Sequence, residues 1–334
     1  KQIAAYSAYS TDVVDAEGGT VMSGIHDGHV HPMYAGLRAL NPSLEDAELT
    51  AAEVQDIVTT FLADPAFGSE PDSWLSVESW NPAGTPSDTL PHKDILDSLA
   101  TSRPIALSGS DGHNTWVNSK ALQIAGIDSN TPDPSDGEIV RDNNGDPTGV
   151  LKDGAQGLVT QYIPEPSPEE MYDAFVSAFA QMAAGGITTI LDAWVAPWQL
   201  DFYAEMAANG HLLTRTFPAM LAGTNKVNHP RRHLGKMQEL AAAYSGVPNL
   251  HFGNIKIFMD GVIEYPAQTA ALLKPYLDGN GNPTNNYGDL YFDAETLGRF
   301  TQVFDAAGWQ VHTHDIGDGA VRAALNGFEI APVP

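Results

Sequence analysis

The strongest constraint on the fold is a rhythm that starts at Pro168. Pro168 opens a helix over about 169–184 that is rich in Ala, apolar at helical spacing and closed by Gly185-Gly186. Thr188 to Asp192 is β-branched and reads as a strand, 200–209 as a helix ended by Gly210, 213–221 as a strand and 232–244 as a helix. Ile255 to Gly261 is the next strand, 294–307 a helix ended by Gly308, 310–314 a strand and 319–328 a helix. Strands that alternate with helices of about 10–15 residues predict a parallel sheet with helices covering it.

One earlier stretch joins this series: Gly24-Ile25-His26-Asp27-Gly28-His29-Val30-His31-Pro32. His29 and His31 are two apart, so on a strand both imidazoles point to the same face, as a metal ion needs. Pro32 cannot donate to a sheet ladder and ends the strand at a loop. A His pair at the C-terminal end of a first strand is where a parallel α/β barrel places chemistry. The alternative is an ordinary polar strand face that happens to hold two histidines. With this strand the count reaches five, and an eight-stranded barrel needs three more.

Between these two regions the reading is an insertion. Residues 1–23 are short and strand-like, with Gly18-Gly19 as a turn, and 41–62 turn helical around Val54, Ile57 and Val58. Trp74 to Trp80 alternates like a strand, 92–100 reads as a helix and 104–108 as a strand. Gly137 to Asp142 with Asn143-Asn144-Gly145-Asp146 reads as a hairpin with a tight turn. Residues 60–160, roughly 100 residues, are therefore expected to interrupt the barrel and contribute pocket loops. Trp80 is either a substrate wall or a core aromatic. Ser110 to Ser119, which holds Asp111, His113 and Trp116, is either a pocket-lining loop or a well-capped turn before the helix at 120–125.

Charge narrows the partners. The 334 residues carry 42 acids against 16 bases, a net charge of −26, which argues against nucleic acid or an anionic membrane. Such acidity also fits a chain that is stabilised by salt. There is no Cys, so any metal must be held by His, carboxylate or a modified Lys. No apolar run of about 18 residues exists, and residues 1–9 lack the core of a signal peptide, so a cytoplasmic protein is expected.

Two further strand ends carry chemistry. Lys256 lies among Ile255, Ile257 and Phe258 on a strand buried on both faces, where an amine is costly and its pKa falls. A neutral amine can take up CO₂ as a carbamate and bridge two metals; pairing with Asp260 or Glu264 is the alternative. His312 and His314 repeat the two-apart geometry, with His314 at the strand end before Asp315-Ile316-Gly317-Asp318-Gly319. Asp192, at the end of its strand, either supports a ligand histidine or caps a helix. Of the remaining histidines, only His113 is placed to touch substrate.

These stretches resemble the amidohydrolase superfamily, in the branch that holds the N-substituted formamide deformylases. The resemblance lies in Gly24-x-x-Asp27-x-His29-x-His31-Pro32, in Ser110-Asp111-Gly112-His113 with Trp116-Val117-Asn118-Ser119, and in Gly137-Glu138-Ile139-Val140-Arg141-Asp142. It continues through Gly186-Ile187-Thr188-Thr189, Lys256-Ile257-Phe258-x-Asp260-Gly261 and His314-x-Ile316-Gly317-Asp318, and so runs from about residue 12 to about 329. It implies a distorted TIM-type (β/α)8 barrel at 24–59 and 161–334, with 1–23 as a remnant of a small β-sandwich. It also implies one or two divalent ions, usually zinc. His29 and His31 would hold the more buried ion, a carboxylated Lys256 would bridge, and His314 would hold the second. Trp80, Asp111, His113, Trp116 and His312 would meet a small-molecule substrate.

The implied reaction is attack of a metal-bound hydroxide on a C–N amide-type bond, such as that of an N-substituted formamide. A non-catalytic relative that binds a small molecule or regulates is the alternative, as is ester hydrolysis or deamination on the same site. The family's further metal His and its general-base Asp, after the sixth and eighth strands, match no position here. The barrel is thus expected to be incomplete, with an open sheet edge that favours pairing with another copy in a homo-oligomer.

Overall fold

The structure, a computed structural model, describes residues 8–331 apart from 13, 83, 85–89, 135–136, 264–267 and 279. In chain order its elements are β1 (Ile25–Val30), α1 (Pro32–Arg38), α2 (Ala51–Ala63), β2 (Leu75–Trp80), α3 (Lys93–Asp97), β3 (Ile105–Gly109), β4 (Asn114–Val117), α4 (Ser119–Ala125), β5 (Gly137–Arg141), β6 (Pro147–Asp153) and α5 (Gly157–Thr160). The series continues with α6 (Pro168–Ala184), β7 (Ile187–Val195), α7 (Gln199–Ala208), β8 (Arg215–Leu221), α8 (Thr224–Val227), α9 (Pro230–Ala243), β9 (Asn254–Phe258), α10 (Ala294–Asp305), β10 (Gln310–His314) and α11 (Asp318–Ile330).

The expected rhythm gives one parallel sheet of five strands in the order β1-β7-β8-β9-β10. It curls as a half-barrel. Its core is Phe175 and Phe179 of α6, Tyr203 and Met206 of α7, and Phe300 and Phe304 of α10, packed on Ile190, Ile255 and Ile257. The helix starts follow local chemistry. Ser167 and Glu170 form a capping box at α6 with Pro168 in its first turn, and Thr50 and Glu53 do the same at α2.

Residues 75–153 build a second sheet, in the order β2-β3-β4-β6-β5, with β2 and β3 parallel and the rest antiparallel. One face packs Leu75, Val77, Leu107 and Trp116 against Val54 and Val58 of α2; the other packs Ala106, Val117 and Leu151 against Ala121 and Leu122 of α4. The β5–β6 hairpin turns at Gly145, whose φ of 85° few other residues tolerate, while Asp142 accepts from the N–H groups of Asn144 and Asp146. Of the stretch 1–23 that reads as strand-like, residues 1–7 and 13 lie outside the described residues. Among the described residues before Ile25 there is no strand; they are exposed and make no ladder hydrogen bonds. No described helix is long and apolar enough to cross a membrane.

Candidate functional site

The site grows from the register of β9 and β10, which pairs Lys256 with His312 and Phe258 with His314. In-register neighbours and residues two apart share a face, so all four side chains project together. The curl of the sheet then brings its outer strands within reach of each other. His312 Nε2 lies 3.0 Å from His29 Nδ1, although the two are 283 residues apart in the chain. The His31 ring centroid is 5.2 Å from that of His29.

Lys256 is 1% exposed and sits 5.2 Å from the centre of the Phe258 ring. Burial lowers its pKa to about 8, a shift that Asp315 opposes. Among the described residues Lys256 belongs to no ion pair. The pairing with Asp260 is not formed, because that buried carboxylate is engaged elsewhere. It accepts from the backbone N–H groups of Ala271, Ile316 and Gly317. Glu264 lies outside the described residues. Burial, then the charge of Lys256, then His29 and His31, lower His312 to about 4. Burial and Lys256 lower His29 as well. Both imidazoles are therefore neutral near pH 7, and of the two the ring that donates in their mutual hydrogen bond keeps its lone pair free.

His31 follows β1 and precedes α1, and its buried Nδ1 has no hydrogen-bond partner. The nearest carboxylate oxygen is Asp192 Oδ1 at 3.7 Å, too long for a hydrogen bond. Asp192 is fully buried and accepts from the Tyr203 hydroxyl at 2.6 Å. It does not end its strand, since β7 continues to Val195, and the N-cap of α7 is Trp198, so Asp192 caps no helix. His314 leans away from the other imidazoles: its Nε2 lies 2.9 Å from the Gly261 carbonyl. A carbonyl only accepts, so Nε2 carries a proton and donates it to that oxygen.

Trp194 was not singled out by the sequence. It is two residues past Asp192 on the same strand, and that spacing is the signal that would have found it. Its ring centroid lies 5.4 Å from Tyr34, 5.4 Å from Phe258 and 6.4 Å from His31. With Phe258 against His314 at 4.8 Å, these rings make an apolar wall beside the imidazoles.

Other candidates lie in the second sheet. Trp80 and Trp116 are buried with ring centroids 5.4 Å apart, in the core beneath α2. Asp111 accepts from the N–H groups of His113 and Asn114 and from the Asn114 amide, which closes the turn between β3 and β4. His113 Nδ1 lies 2.8 Å from Asp153 Oδ1. The structure thus groups His29, His31, His312 and Lys256, with His314 at the margin, and gives Trp80, Asp111, His113 and Trp116 no contact with them.

A cation suits the donor chemistry of that group: two neutral imidazoles, an unsatisfied buried His31 nitrogen and an amine of lowered pKa. The geometry is not yet a cage. Among the described residues no three of His, Asp and Glu converge on one point, and His29 and His312 hold each other instead.

The model of the amidohydrolase family matches residues 12–334. YtcJ of Bacillus subtilis (strain 168), whose name describes it as an amidohydrolase, is 31% identical over 333 residues, which are 98% of this chain and 59% of that protein. An N-substituted formamide deformylase of Arthrobacter pascens is 26% identical over 97% of this chain and 58% of its own length. The crystal structure of an uncharacterized metal-dependent hydrolase from Pyrococcus furiosus superimposes with a TM-score of 0.62 at 21% identity, over 93% of this chain and 58% of that one. The chain therefore spans just under three-fifths of the length of these relatives.

Proposed function

The chain belongs to the amidohydrolase family, and on that premise we propose that it is the greater part of a metal-dependent hydrolase that cleaves a C–N amide-type bond, an N-substituted formamide or a similar amide. The observation that carries this reading is the contact of His29 with His312 beside buried Lys256, on one face of a curled parallel sheet. In the whole protein the parallel sheet is part of a distorted (β/α)8 barrel.

His29, His31, Lys256 and His314 are the groups proposed to hold one or two divalent ions, zinc first, with His312 beside them. A bound ion would polarise the substrate carbonyl and lower the pKa of a water molecule. The rest falls to the chain. Lys256 cannot face a cation as an ammonium, so it acts either as the neutral amine or as the carbamate, in which the amine nitrogen bonds CO₂ and releases a proton. Burial favours losing that charge. Asp192, fixed by Tyr203, places a carboxylate 3.7 Å from His31 Nδ1. Tyr34, Trp194 and Phe258 offer an apolar surface to the amine substituent and help to exclude water.

The test uses the complete protein purified with zinc present. Metal analysis should find bound metal, and a panel of N-formyl amines should be turned over in preference to matched esters. A protein that stays metal-free after that purification overturns the reading, and a preference for esters overturns the amide assignment.

A further inference from the structure

Positive charge in this acidic chain is concentrated where β8 hands over to α9. Lys226, Arg231, Arg232 and Lys236 are four of its 16 Lys and Arg residues, and no acid occurs between Glu205 and Glu239. Between α8 and the first turns of α9 lies a cavity of about 240 Å³, lined by Lys226, His229, Arg232, His233 and Lys236. A second hollow, lined in part by Arg231, Arg232 and Arg299, adjoins it through His229 and Arg232.

The anomaly inside is His233. It is 3% exposed, yet neither ring nitrogen has a hydrogen-bond partner. Its ring lies near Phe300 and Phe304, with centroids 6.5 and 6.0 Å away, so on the core side two aromatic rings of α10 stand next to it. A buried imidazole left unsatisfied is costly, and the nitrogens of one that lines a cavity are free to meet what enters. The start of α9 adds to this. Its N-cap, His229, makes no side-chain capping bond, and the helix of 14 residues directs the positive end of its dipole at the same spot.

The chemistry of the occupant follows by elimination. A metal cation would face Lys226, Arg232 and Lys236. An apolar ligand would leave His233 unsatisfied. An anion would meet three side-chain cations, a helix N-terminus and an imidazole N–H. The volume lies below the ~300–1,000 Å³ of pockets for drug-sized ligands, so the anion is small. Multiple cationic donors favour a doubly charged oxyanion over a carboxylate.

We propose that the hollow between α8 and the first turns of α9 is an anion site that takes a phosphate group, as inorganic phosphate or as a small phosphate monoester. The site is tied to the hydrolytic centre through the backbone. Leu221, the last residue of β8, is in register with Lys256, and the Ala222 N–H donates to the Lys256 carbonyl at 2.8 Å. The proposal stands independently of the reaction assigned to that centre.

The test is titration of the full chain with sodium phosphate, glycerol phosphate, acetate and chloride at constant ionic strength. It is followed by calorimetry and by the ring resonances of His233. Phosphate should bind with a Kd below about 1 mM and shift the His233 resonances, and acetate should bind at least about tenfold more weakly. Arg232 and Lys236 are exposed, so Arg232→Gln and Lys236→Gln leave the melting temperature unchanged and should each weaken phosphate about tenfold. A monoester that binds more tightly than phosphate supports an organic phosphate as the occupant; equal affinities support the free ion. A response to phosphate no different from that to chloride, or one untouched by Arg232→Gln, overturns the proposal.

Discussion

Removing the imidazole of His31 and removing the amine of Lys256 have different expected signatures. In the complete protein, His31→Ala should lose bound metal and activity together, by at least about 100-fold, because no neighbour can replace its buried nitrogen. Lys256→Ala should lose both as well, but acetate should restore part, since a small carboxylate can occupy the place of a carbamate. An active Lys256→Ala protein with no response to acetate removes the bridging role. His233 carries a prediction of another kind. Burial, with Lys226 and Lys236, lowers its pKa to about 4 from 6.5. The unfolded chain therefore binds the proton first as pH falls, and stability from this residue is complete above pH 6.5 and lost on the way down to about 4. Its neighbours Lys226, His229, Arg232 and Lys236 supply no carboxylate to reverse the sign. His233→Leu should flatten the difference in urea midpoint between about pH 7 and about pH 5 relative to the parent. At this scale the placement of His312 and His314 on one strand was legible from their two-residue spacing, whereas His31 stands past the end of β1 and outside that rule. The role of Asp192 was not legible, because a register shift between Asp192 and Val195 lengthens β7 past the point where the sequence turns loop-like. The two readings of Trp80 and Trp116 stayed open for the same kind of reason: each meets its partner across strands that are far apart in sequence.

Among elements, the turn after β10 shows how loops at the site are held. Asp260 accepts three backbone N–H bonds at 2.7 to 3.0 Å, one from Ala271 in the long β9–α10 excursion and two from Ile316 and Gly317 after β10. One carboxylate thus joins two segments. Gly317 is needed there because a Cβ would meet the Ala271 carbonyl oxygen at 1.9 Å. Asp260→Ala should cost about 3 kcal/mol, since charged acceptors are worth more than neutral ones and three donors lose their partner. Amide exchange at Ala271, Ile316 and Gly317 should quicken well beyond that in β8; equal quickening everywhere would mean global unfolding instead. The rhythm of the elements was legible from Pro168 on, because glycine stops, proline starts and apolar spacing agree locally. Their ends were less so. The helix expected over 41–62 forms only at Ala51–Ala63, where Thr50 and Glu53 supply a capping box, and the described residues before Ile25 form no strand.

For the molecule as a whole, 42 acids against 16 bases set a background of self-repulsion that salt should relieve. The urea midpoint is expected to rise between about 0.1 M and about 1 M NaCl, and a midpoint that does not rise removes the idea of stabilisation by salt. One consequence of the curled sheet concerns time. The His29–His312 contact spans 283 residues, while each neighbouring strand pair between them closes through shorter loops. Distant closures wait for nearer ones, because the entropy of the intervening chain is lost before the contact returns anything. A reporter placed across β1 and β10 should therefore recover later, after dilution from denaturant, than tryptophan fluorescence from the second core. The pocket would then be the last thing the chain makes, and ligand capture would certify that every preceding strand had arrived in order.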